Sequence, residues 1–177
     1  MEGAPDRRIA ARDTRHQKRR PKMKERCCIS EHVVYHVGYR SRGWTPRVLA
    51  AAVRDRGLFL IDVRFSPGKP RALWSRERLS GLLGDAGYLW MGHLLGNRNY
   101  RGGPVELVDE RKGLDLLVGF VLAGPVALMC ACDDYAGCHR RIIIDALAGV
   151  MPDRAKIRAE ELRPPELSGD SLFAGRG

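Results

Sequence analysis

Residues 125–148 read PVALMCACDDYAGCHRRIIIDALA, and this stretch decides the fold. The apolar run Val126 to Met129 predicts a short strand of the kind buried on both faces of a parallel sheet. A thiol-rich loop follows, carrying Cys130, Cys132, Asp133, Asp134, Cys138 and His139. Arg140-Arg141 then leads into Ile143, Ala146, Leu147 and Val150 at helical spacing. A strand, a polar loop and a helix start form one βα unit. The free N–H groups and dipole of such a helix favour anions and depress the pKa of a nearby cysteine.

The same alternation extends upstream. His32 to Val37 predicts a strand that Gly38 ends. Thr45-Pro46 supplies a capping hydroxyl and a proline at the first helical position. Val48, Leu49, Ala52 and Val53 share one face of that helix, and Gly57 is a natural stop. Leu58 to Val63 is a second buried strand, followed by a proline-rich basic loop. A second helix starts near Ser75 with Leu79, Leu82 and Leu83 inward, and Tyr88 to Met91 is a third strand. The segment Gly92 to Pro104 is too glycine-rich for regular structure, and Leu114, Leu117, Val118, Val121 and Leu122 form the stripe of a third helix. The pattern predicts an α/β fold, a three-layer sandwich with a mainly parallel sheet of about four strands.

Three regions follow: a basic tail over 1–31 without regular structure, the α/β domain over 32–150, and a charged, then Pro/Gly-rich tail over 151–177. A short strand or helix near Ile157 fits the last of these. With 44% hydrophobic residues in 177, the chain can bury a real core. The formal charge is +10, and residues 1–31 hold ten Lys and Arg against five acids. That balance favours a polyanionic partner, nucleic acid or nucleotide, with the tail tracking phosphates. Met23 is an alternative start. Five cysteines, an odd number, without an apolar leader point to free thiols and a cytoplasmic setting. The uncharged stretch from Leu116 is interrupted by Gly124-Pro125 and falls short of a membrane span.

In an open parallel sheet, ligands bind beyond the carboxyl ends of the strands. Each predicted strand runs into a polar loop there: Tyr39 after the first, Asp62 and Arg64 after the second, His93, Asn97 and Arg98 after the third, Cys130 to Arg140 after the fourth. Tyr39, Asp62, Arg64, Arg98 and Arg140 are the expected substrate-binding residues, because guanidinium forks suit phosphate and carboxylate.

These segments resemble the uncharacterised family named domain of unknown function 488. The signatures are Val37-Gly38, Thr45-Pro46, Leu60-Ile61-Asp62-Val63-Arg64, and Cys130-Ala131 followed by Cys138-His139-Arg140, over about residues 33–149. Members commonly carry histidine where this chain has Tyr39 and an acidic residue where it has Cys132. The resemblance implies an α/β sandwich and no established reaction. A fainter resemblance is to rhodanese-like domains, which run a helix into an L-I-D-V-R strand and would put Cys130 at the sulfur-carrying position.

Three readings of the thiols stay open. Cys138 or Cys130 is a thiolate nucleophile helped by His139, Arg140 and Arg64, with His93 the general acid or base; this needs no cofactor. Alternatively, Cys130, Cys132, Cys138 and His139 hold zinc, although the adjacency of Cys138 and His139 is awkward on one tetrahedral ion. Or the cysteines are small core residues beside a plain binding loop. The first gives a cysteine-dependent enzyme acting on a phosphate-bearing substrate such as a nucleotide or nucleic acid. The competing function is a non-catalytic nucleic-acid-binding accessory protein with a basic tail and a structural zinc. His32 and His36 read as satisfied histidines, and Trp74 as a stacking surface.

Overall fold

The computed structural model describes residues 29–165. The expectations for residues 1–28 of the basic tail, including Cys27-Cys28, and for residues 166–177 lie outside them, whereas Ser30 and Glu31, expected in the tail, already belong to the first strand. Five strands and five helices occur in the order β1 (Ser30–Gly38), α1 (Pro46–Asp55), β2 (Phe59–Asp62), α2 (Arg76–Leu83), β3 (Tyr88–Trp90), α3 (Gly92–Leu95), α4 (Glu110–Ala123), β4 (Val126–Cys130), α5 (His139–Val150) and β5 (Ala155–Glu161). The strands form one sheet in the order β3-β2-β4-β1-β5, and every pairing is parallel.

The helix starts follow their caps. Thr45 accepts a hydrogen bond from the Val48 amide at 3.2 Å, with Pro46 at the first helical position. Ser75 and Asp109 cap α2 and α4 in the same way. Successive strand residues point to opposite faces, and two apolar clusters follow from this. Ile61, Val126, Leu128 and Cys130 pack with Leu117 and Val121 of α4 and Ile143 and Leu147 of α5. Leu60, Ala127 and Met129 pack on the other side with Leu49 and Val53 of α1 and Leu79 of α2.

Several expectations need correction. The sheet has a fifth strand beyond the four or so expected, because β5, at the short strand or helix expected near Ile157, pairs with β1 along seven residues. Its sequence AKIRAEE is that of a charged edge strand, whose burial signal is weak by nature. Within the glycine-rich segment, Gly92–Leu95 forms a short helix because Leu95 is driven into the core. Leu122 and Val150, expected on the buried stripes of their helices, are about half exposed.

The strand order positions the site. From β1 the chain moves through α1 to β2, and from β4 it moves through α5 to β5. β1 and β4 are neighbours, yet α1 and α5 lie against opposite faces. The loops leaving these two strands therefore diverge. A crevice opens between them at the carboxyl edge, where open α/β sheets bind ligands.

Candidate functional site

The crevice is a cavity of about 410 Å³. Its walls come from the loop after β1 (Tyr39, Arg40), the loop after β2 (Arg64, Phe65, Ser66), the segment from Asn97 to Val105, and the cysteine loop from Cys130 to His139. Among the described residues no carboxylate lines it. Such a volume is in the range that holds a small ligand.

At its floor are the three described cysteines, whose sulfurs all lie within 4.8 Å of one another. Cys130 ends β4 and is buried, whereas Cys132 is exposed in the loop. Cys138 is the N-cap residue of α5 and only 2% exposed. Its sulfur makes no capping bond to the helix backbone. Instead Arg140 Nε donates to Cys138 Sγ at 3.2 Å, while Arg140 Nη2 donates to the Cys132 carbonyl at 2.8 Å. One guanidinium thus ties the two ends of the cysteine loop together. Arg140 is itself 1% exposed, with its carbon 5.9 Å from the centre of the Tyr135 ring. Tyr135 stacks flat on His36 of β1 at 3.7 Å, which seats the loop on the sheet edge.

Gly38, paired with Cys130 across β1 and β4, makes this approach possible. A Cβ built there would stand 1.8 Å from the Cys132 carbonyl oxygen and 3.0 Å from Arg140 Nη2.

His139 begins α5 with its ring turned inward. Its Nε2 donates to the Val63 carbonyl at 2.9 Å, which leaves Nδ1 facing Cys130 and Cys138, each 3.7 Å away. In the neutral ring Nδ1 accepts a thiol proton, and in the imidazolium it donates to a thiolate. Burial opposes charge on His139, but its bonds to Cys138 and the Val63 carbonyl prevail and raise its pKa. Cys138 is pulled the other way. Hydrogen bonding from Cys130 lowers its pKa against the effect of burial, and His139 and the Arg140 charge lower it further. Cys130, bonded to Cys132 and Cys138 and buried, is held as the thiol. Cys132 is lowered to about 7, chiefly by the hydrogen bond from Cys130.

A second polar cluster occupies the opposite face of the same edge. Asp62 is fully buried, and all four of its lone-pair directions are filled. Oδ1 accepts from the Arg64 amide at 3.1 Å and Arg64 Nε at 2.7 Å; Oδ2 accepts from Arg64 Nη2 at 2.5 Å and the Tyr88 hydroxyl at 2.8 Å. Arg64 Nη1 donates to the Trp74 carbonyl at 2.8 Å. Burial disfavours the Arg64 charge, but the paired carboxylate outweighs it and holds the guanidinium above its usual range. Tyr88 is pushed up by burial and by Asp62.

The structure thus brings Tyr39, Arg64, Cys130, Cys132, Cys138 and His139 to one cavity. Tyr39 stacks on Trp74 at 4.4 Å, and its ring lies 5.2 Å from the Arg64 guanidinium carbon. Asp62 reaches the site only through Arg64, and Arg140 supports the cysteines from below. His93 and Arg98 do not line the cavity. His93 is exposed on α3 beside Trp90, and Arg98 bonds Glu106 and the Val108 carbonyl. The sequence puts Arg40 in the polar loop after β1, and the structure places it in the cavity wall. Nothing local signals the exposed stack of Phe65 on Tyr100 in the same wall, 5.6 Å apart, since its partners are 35 positions apart in the chain.

The three sulfurs form a group able to hold a metal. A tetrahedral zinc with bonds of about 2.3 Å sets its sulfurs about 3.8 Å apart, and Cys130 and Cys132 are separated by 3.7 Å. Adjacency of Cys138 and His139 is no obstacle to a shared site, since Sγ and Nδ1 both face inward at 3.7 Å. His139 nevertheless falls outside the group in which every donor is close to every other.

No helix among the described residues is long and apolar enough to cross a membrane. Neither curated proteins nor solved structures yield a match to the chain. The family profile described as domain of unknown function DUF488 matches residues 45–147, which takes in both polar clusters, and the chain belongs to that family.

Proposed function

We propose that this protein is a cysteine-dependent enzyme whose Cys138 thiolate attacks a small phosphate-bearing substrate, such as a nucleotide or an end of a nucleic acid. The observation that carries the reading is Arg140 Nε directed at Cys138 Sγ at 3.2 Å, on the floor of a cavity that no carboxylate of the described residues lines. A buried cation fixed on a sulfur stabilises the thiolate, the nucleophilic form. His139 Nδ1 stands beside the same sulfur, able to hold the thiol proton and return it to a leaving group. At the mouth, Arg40 and the two Arg64 N–H groups that its three hydrogen bonds leave over suit an anion. Tyr39, Phe65 and Tyr100 offer faces for a base. We place the protein in the cytoplasm, where free thiols persist.

The test is protection from alkylation. Iodoacetamide should label Cys138 quickly near neutral pH, and nucleoside monophosphates should slow that labelling where the parent nucleosides do not. Labelling unchanged by Cys138→Ser would remove the nucleophile, and protection by no phosphorylated compound would remove the substrate class.

The sulfur trio favours a second reading, a zinc held by Cys130, Cys132 and Cys138 in a non-catalytic nucleic-acid-binding protein with a basic tail. When bound, zinc would hold the loop closed. Metal analysis of protein purified under reducing conditions decides between the two. Near one zinc per chain, lost in Cys138→Ser, favours the second reading, as does salt-sensitive nucleic-acid binding that disappears on deleting residues 1–26.

A further inference from the structure

Cys138 already has one supporting thiol in Cys130, and a further thiol stands in the same group. Here Cys132 lies within 4.8 Å of Cys138, and Arg140 contacts both, one through sulfur and one through the carbonyl. The contact with Gly38 further confines the Cys132 backbone. Its side chain, by contrast, is exposed in the loop, where its sulfur meets that of Cys130 at 3.7 Å. Cys130 differs: it is buried and ends a central strand in register with Gly38. A disulfide requires sulfurs about 2 Å apart; those of Cys132 and Cys138 lie within 4.8 Å, and Cys132 belongs to the loop rather than to a strand of the sheet.

We infer that Cys132 and Cys138 form a dithiol–disulfide couple that gives the site a second activity, the two-electron reduction of a small hydroperoxide. The inference rests on the reading of Cys138 as the thiolate. In the first step Cys138 Sγ attacks the hydroxyl oxygen of the peroxide. An S–O bond forms, the O–O bond breaks, and the departing alkoxide or hydroxide takes a proton from water. The Cys132 thiolate then attacks the Cys138 sulfur, an S–S bond forms, and hydroxide leaves as the S–O bond breaks. The two sulfurs have lost two electrons and the peroxide has gained them. A low-molecular-weight thiol restores the dithiol by two exchanges and is itself oxidised to its disulfide. Because the disulfide consumes the nucleophile, the same event switches off chemistry on the phosphate-bearing substrate.

The experiment treats reduced full-length protein with one equivalent of hydrogen peroxide, blocks the remaining thiols, and cleaves after Tyr135. Mass spectrometry then looks for residues 130–135 linked to the peptide carrying Cys138. A parallel sample without peroxide reads the rate of Cys138 alkylation. We expect the linked peptide in the wild type and at least a tenfold loss of it in Cys132→Ser. In that variant a 1,3-dicarbonyl trap should capture sulfenic acid at Cys138. Fast alkylation of Cys138 without a linked peptide overturns the couple and leaves the thiolate reading standing. An undiminished link in Cys132→Ser overturns the assignment of Cys132 in favour of Cys130. Slow alkylation together with no link overturns both.

Discussion

Two polar clusters end neighbouring strands of one sheet, on opposite faces, and they are built on different principles. At the end of β2, Asp62 and Arg64 are locked together, with every carboxylate lone pair filled and Tyr88 and the Trp74 carbonyl completing the set. At the end of β4, the cysteines meet one another and His139 at 3.7 Å, through soft sulfur contacts in which protons have several places to sit. A saturated cluster holds geometry. A cluster with movable protons facing a cavity is suited to chemistry, the role proposed for it. Each also needs a glycine where backbone approaches backbone: Gly38 against the Cys132 carbonyl, Gly92 against the Arg64 carbonyl.

The largest difference between the two clusters should appear when one charge is removed from the locked one. Asp62→Asn leaves the Arg64 guanidinium, 5% exposed, without its counter-ion. Losing one partner of a buried pair costs about 3–5 kcal/mol, which urea denaturation will read. Cys138→Ser should cost far less, and equal losses would mean that the cysteine cluster is structural too.

Next in size is Gly38→Ala, whose Cβ collides with the Cys132 carbonyl rather than with a flexible side chain. Overpacking of that kind costs about 1–3 kcal/mol. It should also slow Cys138 alkylation by displacing the loop, while leaving the Asp62–Arg64 cluster intact.

The pH response separates the clusters by chemistry. A free thiol alkylates about tenfold faster per pH unit up to a pKa near 8.5. Because the Cys138 pKa is lowered, by Cys130 first and then by His139 and Arg140, its labelling rate should stay flat from pH 6 to pH 9 by about a factor of two. The linkage has a definite sign. A depressed pKa contributes stability that is complete above the unfolded value, about 8.5, and that is lost as pH falls toward the folded one. The stability gap between wild type and Cys138→Ser should therefore widen from acid to about pH 8.5. A gap independent of pH would show that the fold does not favour the thiolate.

The smallest effect belongs to the helix that carries the cysteine loop. Arg141 and Asp145 form an exposed i,i+4 pair at 3.1 Å on α5. Asp145→Asn should change stability by no more than about 0.5 kcal/mol and leave Cys138 labelling untouched. A large change in labelling would extend the site onto the helix surface.

Much of this architecture was legible in the chain. Thr45-Pro46 and Ser75 marked two helix starts, and Leu58 to Val63 and Val126 to Met129 marked two central strands. Local rules govern such features: a cap bonds its own first turn, and a central parallel strand is apolar throughout. β5 escaped clear reading because an edge strand buries only part of itself. The four residues of α3 carry too little periodicity to be read, and become helical because Leu95 packs beneath α4.

The candidate site divides along the same line. By itself the sequence determined that Cys130, Cys132, Cys138, His139 and Arg140 share one loop between a buried strand and a helix. Chain connectivity alone keeps those residues close. Only the tertiary structure decided that Arg64 turns to Asp62, that Arg140 reaches the sulfur of Cys138, and that His93 and Arg98 stay outside the cavity. It also brought Phe65 onto Tyr100 and Tyr135 onto His36. These contacts depend on strand order and register, which place residues from distant segments side by side. Periodicity says which face of an element is buried; it does not say which neighbour that face will meet.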